Sequence, residues 1–135
     1  MFSYLNVFPF VHTIGKIEWE GERRMNYRYS DYSIEQLHRE IGVLKEKAQK
    51  AEQLGNISEV QINERKMQVA LAYTMNPEDF QANEVYQLKM EPGFTFKISY
   101  INGVFAWGYR INLLEEMYEQ IEALPISLLG KKVTK

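Results

Sequence analysis

Two cations, Lys97 and Arg110, fall on one side of a predicted two-stranded hairpin, with Gly108 beside them to leave space. Such a pair can grip a carboxylate or a phosphate, Arg110 through its fork of N–H donors and Lys97 as a point charge. With Lys89 they are the three cations of residues 76–130, set against eight carboxylates, so that stretch carries a balance of −5. The simpler reading is separate solvation of the two, because exposed charges gain little from each other. Among the carboxylates, Glu115, Glu116, Glu119 and Glu122 recur at helical spacing. They can be drawn as a metal or acid–base cluster, but the same spacing describes a solvated helix face, and that reading is preferred. His12 and His38 are the two histidines, far apart, and the chain has no cysteine. Zinc sites and Ser-His-Asp machinery therefore lose their usual ingredients, and His38 reads as a surface or boundary residue. No Gly-rich loop follows a strand and opens a helix, so nucleotide hydrolysis has no visible apparatus. No catalytic, metal-binding or cofactor-binding residue is assigned, and the chain is read as a non-enzyme.

The aromatic residues Phe96, Tyr100, Phe105, Trp107 and Tyr109 offer another chemistry, a groove for proline-rich peptides or stacked bases. Their placement argues for a core instead. Asn102-Gly103 is the hairpin signal between Phe94–Ile101 and Val104–Arg110. A two-residue loop there pairs Tyr100 with Phe105, Ile98 with Trp107 and Phe96 with Tyr109. One face is then large and apolar throughout, while Lys97, Gly108, Thr95 and Arg110 share the other.

A helical hairpin must precede these strands. Ser33 and Gln36 form a capping box, with Tyr32 and Leu37 at the staple positions. From Ile34 to Ala51, apolar residues recur at spacings of three and four, giving a narrow seam over roughly 30 Å of helix. Gly55 ends that helix and Asn56 starts a second, about Ile57 to Met75, which Asn76-Pro77 stops. The second helix has two apolar stripes: Val60, Met67, Leu71 and Thr74 on one side, Ile62, Val69 and Tyr73 nearly opposite. The first helix covers one stripe. The other needs the strands of the same chain or a second copy, and the short connection after Met75 favours the former, hence a monomer over a homodimer. After the strands, Leu113–Glu122 reads as a helix with Asn112 and Glu115 as its capping box, and Ala123–Leu129 as a strand–turn–strand that can close a barrel edge.

Residues 32–41 (YSIEQLHREI), 47–56 (KAQKAEQLGN), 75–80 (MNPEDF), 98–110 (ISYINGVFAWGYR) and 122–129 (EALPISLL) resemble the YfhH family, small bacterial proteins of unassigned function. The resemblance covers about Tyr32 to Leu129. It implies an SH3-like barrel preceded by a helical hairpin, in agreement with the periodicities, and implies no site residues. The expected fold is thus α+β: an antiparallel helical hairpin over 25–76, a small SH3-like β-barrel over 77–130, and a basic tail over 131–135. Residues 1–24 lie outside the pattern. Gly21-Glu22-Arg23-Arg24 before Met25 can be encoded by a purine run resembling a ribosome-binding site, so this stretch is expected to be a non-native or disordered extension. Its first part, residues 1–15, is apolar but too short to span a membrane and lacks the charge pattern of a signal peptide, which points to the cytoplasm.

The expected function is a non-enzymatic interaction module, binding an unidentified protein segment through the barrel or the hairpin without a cofactor. Lys97, Arg110, Ile62, Val69 and Tyr73 are its candidate contact residues. The alternative is a nucleic-acid-associated regulatory protein, by analogy with other small barrels. Lys131, Lys132 and Lys135 support it; a net charge of −2 and the acidic strand region oppose it.

Overall fold

The structure, a computed structural model, describes residues 27–134. The expectation for residues 1–24 lies outside the described residues. Helix α1 (Ile34–Gln53) begins as its sequence requires: Ser33 Oγ accepts from the Gln36 N–H at 3.1 Å, and the Ser33 N–H donates to Gln36 Oε1 at 2.8 Å. Its end is a Schellman closure. The Asn56 N–H donates to the Ala51 carbonyl at 2.8 Å and the Gly55 N–H to Glu52 at 3.0 Å, with Gly55 at φ +73°. Asn56 then caps α2 (Ile57–Ala72), its Oδ1 accepting from the Glu59 N–H at 3.2 Å. The helix ends at Ala72, short of the expected Met75; Tyr73–Met75 continue as turns. Leu44, Ala48 and Ala51 are buried on α1, where two small residues let the helices approach closely.

Five antiparallel strands follow: β1 (Val85–Leu88), β2 (Thr95–Asn102), β3 (Phe105–Ile111), β4 (Glu122–Pro125) and β5 (Leu129–Lys132). Their order across the sheet is β4-β3-β2-β1-β5. The fold is therefore α+β, two helices followed by a sheet. The expected closure into a barrel is not made by hydrogen bonding: the sheet is open, with β4 and β5 as its edges. The short 3-10 turn Ile126–Leu128 connects those two edge strands.

The β2–β3 register differs from the expected one, for two reasons. First, a loop with Asn102 and Gly103 at its centre would need positive φ at both. Gly103 has it, at +63°, whereas Asn102 pairs with Phe105, so the loop is Gly103-Val104 with glycine first. Tyr100 consequently meets Trp107. Second, a bulge at Ser99 offsets the remaining half of the strand by one residue, so Ile98 meets Gly108 and Phe96 meets Arg110. A one-residue offset turns side chains over, and here it carries Arg110 to the same side as the buried Phe96 and Ile98. Gly108 sits where the strands come closest. A Cβ on it would lie 1.9 Å from the Lys97 carbonyl oxygen, so its role is close backbone approach and not the side-chain space expected between two cations.

The expected helix over Leu113–Glu122 is absent. Asn112 Oδ1 instead accepts from the Leu114 and Glu116 N–H groups, at 2.9 and 3.0 Å, closing a tight turn in which Glu115 takes φ +63°. Asn112 thus does what an N-cap does without a helix following it, because Glu122 and its successors are recruited as β4. The main core joins Phe96, Ile98, Ala106, Leu124 and Ile126 of the sheet region to Val69, Ala70 and Ala72 of α2. Ser127 pins the two layers, its Oγ donating to the Gln68 carbonyl at 2.6 Å. Among the described residues, no helix is long and apolar enough to cross a membrane.

Candidate functional site

The strand register turns Arg110 inward, where it is fully buried, and two carboxylates converge on it. Glu122, the first residue of β4, receives the Arg110 Nε–H at 3.2 Å and an Nη2–H at 3.3 Å. Glu91, in the turn between β1 and β2, receives Nη1–H and, at 3.4 Å, Nη2–H. The guanidinium also lies against the Phe94 ring, 4.8 Å from its centroid. Burial opposes the charge of Arg110, but the Glu122 and Glu91 carboxylates overcome that and hold it above its usual value. Burial acts most strongly on Glu122. Arg110 pulls its carboxyl down and Glu91 pushes it up, leaving it at about 7 against an ordinary 4.5.

A groove of about 770 Å³ opens on the opposite side of the sheet. Gln87, Thr95 and Ile111 lie in line across β1, β2 and β3 and form part of its lining. Phe94 contributes to one wall, and Leu113 of the Asn112 turn stands 3.5 Å from where a Cβ on Gly93 (φ +97°) would lie. Leu113 is 81% exposed and Leu114 78%, so this turn presents apolar side chains to solvent. Lys89, Lys131 and Glu115 also line the groove, and neither lysine has an ion-pair partner among the described residues. Lys132, by contrast, binds Glu84 at 2.8 Å; that contact, with the Tyr86 hydroxyl and the Gln81 N–H, holds the Glu84 carboxyl at about 2.

Several sequence-predicted site residues fall apart. Lys97 pairs with Tyr109, and Arg110 with Phe96, so the two cations point to opposite sides and make no common anion grip. Glu115, Glu116 and Glu119 are exposed, but Glu122 is buried, so the four carboxylates share no solvated helix face. Of the second stripe of α2, Val69 is fully buried in the core shared with the sheet and Tyr73 packs at its margin, edge-on to Tyr29 at 6.3 Å. Ile62 is half-buried outside that core. Trp107 and Ile98 are both buried, as expected for a core, but alternation puts them on opposite sides of β3 and its partner. Trp107 instead stacks with Tyr100, ring centroids 5.7 Å apart. Among the described residues no three His, Asp or Glu side chains are arranged to hold a metal ion.

The buried ion cluster is what sequence reasoning missed. Its signals were two lone charges in apolar surroundings: Arg110 after VFAWGY and Glu122 opening the run ALPISLL. Charges in such positions are almost never fully buried unless paired.

The fold and site together define a small α+β domain, a helical hairpin against an open sheet with an ion cluster beneath a surface groove. A family model described as "Protein of unknown function (DUF1811)" matches residues 27–130, and the chain belongs to that family. It is 50% identical over 109 residues to the protein named "Uncharacterized protein YfhH" of Bacillus subtilis (strain 168), a match covering 80% of this chain and 99% of the relative.

Proposed function

We propose that this protein is a non-enzymatic interaction module that holds an extended, apolar and acidic segment of a partner protein in the sheet groove. The observation that carries this reading is the groove itself: apolar walls from Phe94 and Leu113, with Lys89 and Lys131 free of ion pairs among the described residues. Apolar side chains with a few placed charges are what peptide grooves use for affinity and register. The strand order β4-β3-β2-β1-β5, with a 3-10 turn linking the edge strands, supports reading the sheet as SH3-like. That the sheet of the same chain covers Val69 supports a monomer, and the cytoplasm is its expected location. Nucleic-acid association has less support, since Lys132 of the basic tail is engaged with Glu84.

Selection from a displayed library of random extended peptides tests the proposal. Wild type should enrich sequences combining apolar and acidic residues, and Leu113→Asp should reduce their binding at least tenfold with an unchanged melting temperature. Enriched peptides that bind Leu113→Asp equally well, or no enrichment at all, would overturn the reading.

A further inference from the structure

We propose that the Glu91–Arg110–Glu122 cluster is a proton-binding site whose occupancy sets how firmly the Phe94 wall of the groove is held. Two carboxylates converge on one guanidinium, and all three side chains are buried. Burial opposes the Glu122 carboxylate, and the guanidinium that stabilises it is shared with Glu91; one proton on Glu122 relieves that cost. Glu122 is the acceptor. It is buried more completely than Glu91, and its carboxyl sits near 7, so the proton exchanges around neutral pH. The charges bearing on Glu122 are those of Arg110 on β3 and Glu91 in the β1–β2 turn. Helix α2, which packs on β4, carries Glu59, Glu64, Arg65 and Lys66, and none of these bears on it. Tyr118 faces Phe94 edge-on at 6.0 Å, and its backbone N–H donates to the Arg110 carbonyl.

The link to the groove is covalent and short. Glu91 begins the turn Pro92-Gly93-Phe94, and these three residues line the groove while Arg110 lies against the Phe94 ring. With Glu122 protonated, Arg110 pairs chiefly with Glu91 and holds that turn down. With Glu122 ionised, the single guanidinium charge is shared between two carboxylates, and the hold on Glu91 and Phe94 loosens. The site needs no occupant in the groove, so its failure would leave the proposed function standing, and the reverse holds as well.

Carboxyl carbon NMR of the wild-type chain, labelled at glutamate, decides the matter. One glutamate should titrate with a midpoint within about one unit of pH 7, and the Phe94 ring signals should shift with that same midpoint. Glu122→Gln should abolish both changes. If every glutamate titrates in the ordinary carboxylate range, there is no proton site. If one titrates near 7 while the Phe94 signals stay still, the coupling is wrong. The wild-type titration reads both outcomes even where Glu122→Gln does not fold.

Discussion

The helical hairpin and the sheet place their polar contacts in opposite ways. The capping contacts of α1 and α2 lie at the helix ends and join near neighbours: Ser33 with Gln36, Asn56 with Glu59, and the Gly55 turn closing on Ala51. In the sheet the decisive contact is buried and joins Arg110 to partners 12 and 19 residues away. A local cap can be lost and replaced by water. A buried guanidinium cannot, so its partners must arrive together with the rest of the core. The hairpin should therefore tolerate loss of its polar contacts, whereas the sheet should fail when its register or its cluster is disturbed.

The severest test of that contrast is Gly108→Ala. The new Cβ would meet the Lys97 carbonyl at 1.9 Å, backbone against side chain, and neither strand can retreat without breaking the register that buries Arg110. We expect no cooperative unfolding transition in urea for this variant; near-wild-type stability would mean that the strands part easily.

Arg110→Met follows, with a loss of about 4 kcal/mol at pH 8, because two carboxylates are left buried without their cation. The pH dependence has a definite sign. In wild type the folded Glu122 carboxyl sits above its ordinary value, so the stabilising proton is fully present below about pH 4.5. It is lost as pH rises through about 7, and stability should fall by roughly 3 kcal/mol across that window. Arg110→Met should show a steeper fall, as both carboxylates then resist ionisation. Urea midpoints at pH 5 and pH 8 give the comparison, and a flat profile in both proteins would contradict it.

Val69→Asp probes the layer between hairpin and sheet. Val69 is fully buried, and a carboxylate there should cost about 3 kcal/mol and yield a destabilised chain of unchanged sedimentation. A folded monomer from a dimeric wild type would instead place a second copy over that stripe. The smallest effect is expected at the hairpin ends. Ser33→Ala should cost about 1 kcal/mol by removing one cap, with the sheet's pH dependence untouched.

How far these features were legible follows from the distance over which each is decided. The capping box at Ser33, the Gly55 stop and the Asn56 restart each depend on residues within five positions, and all are present as the sequence predicts. The alternation of β2 and β3 was legible as strands, yet their pairing was not. Asn102-Gly103 permits more than one loop, and the bulge at Ser99 has no mark in composition. Asn112 likewise carries a cap signal that serves a helix or a turn equally, and the choice fell to the pairing of Glu122–Pro125 with β3.

Local chemistry thus determines where the helices start and stop, which segments extend, and that the chain is α+β. Tertiary packing alone decides that Arg110 faces inward, that Glu91 and Glu122 meet it there, and that Lys89 and Lys131 share a groove. The reason is the two-residue period of a strand. Successive residues of β3 point to opposite sides of the sheet, both largely covered, and a single extra residue in β2 changes which of its residues each one faces. That offset costs nothing visible in the sequence of either strand. It is settled by whether a cation carried into the core finds carboxylates from two other segments already converging on it.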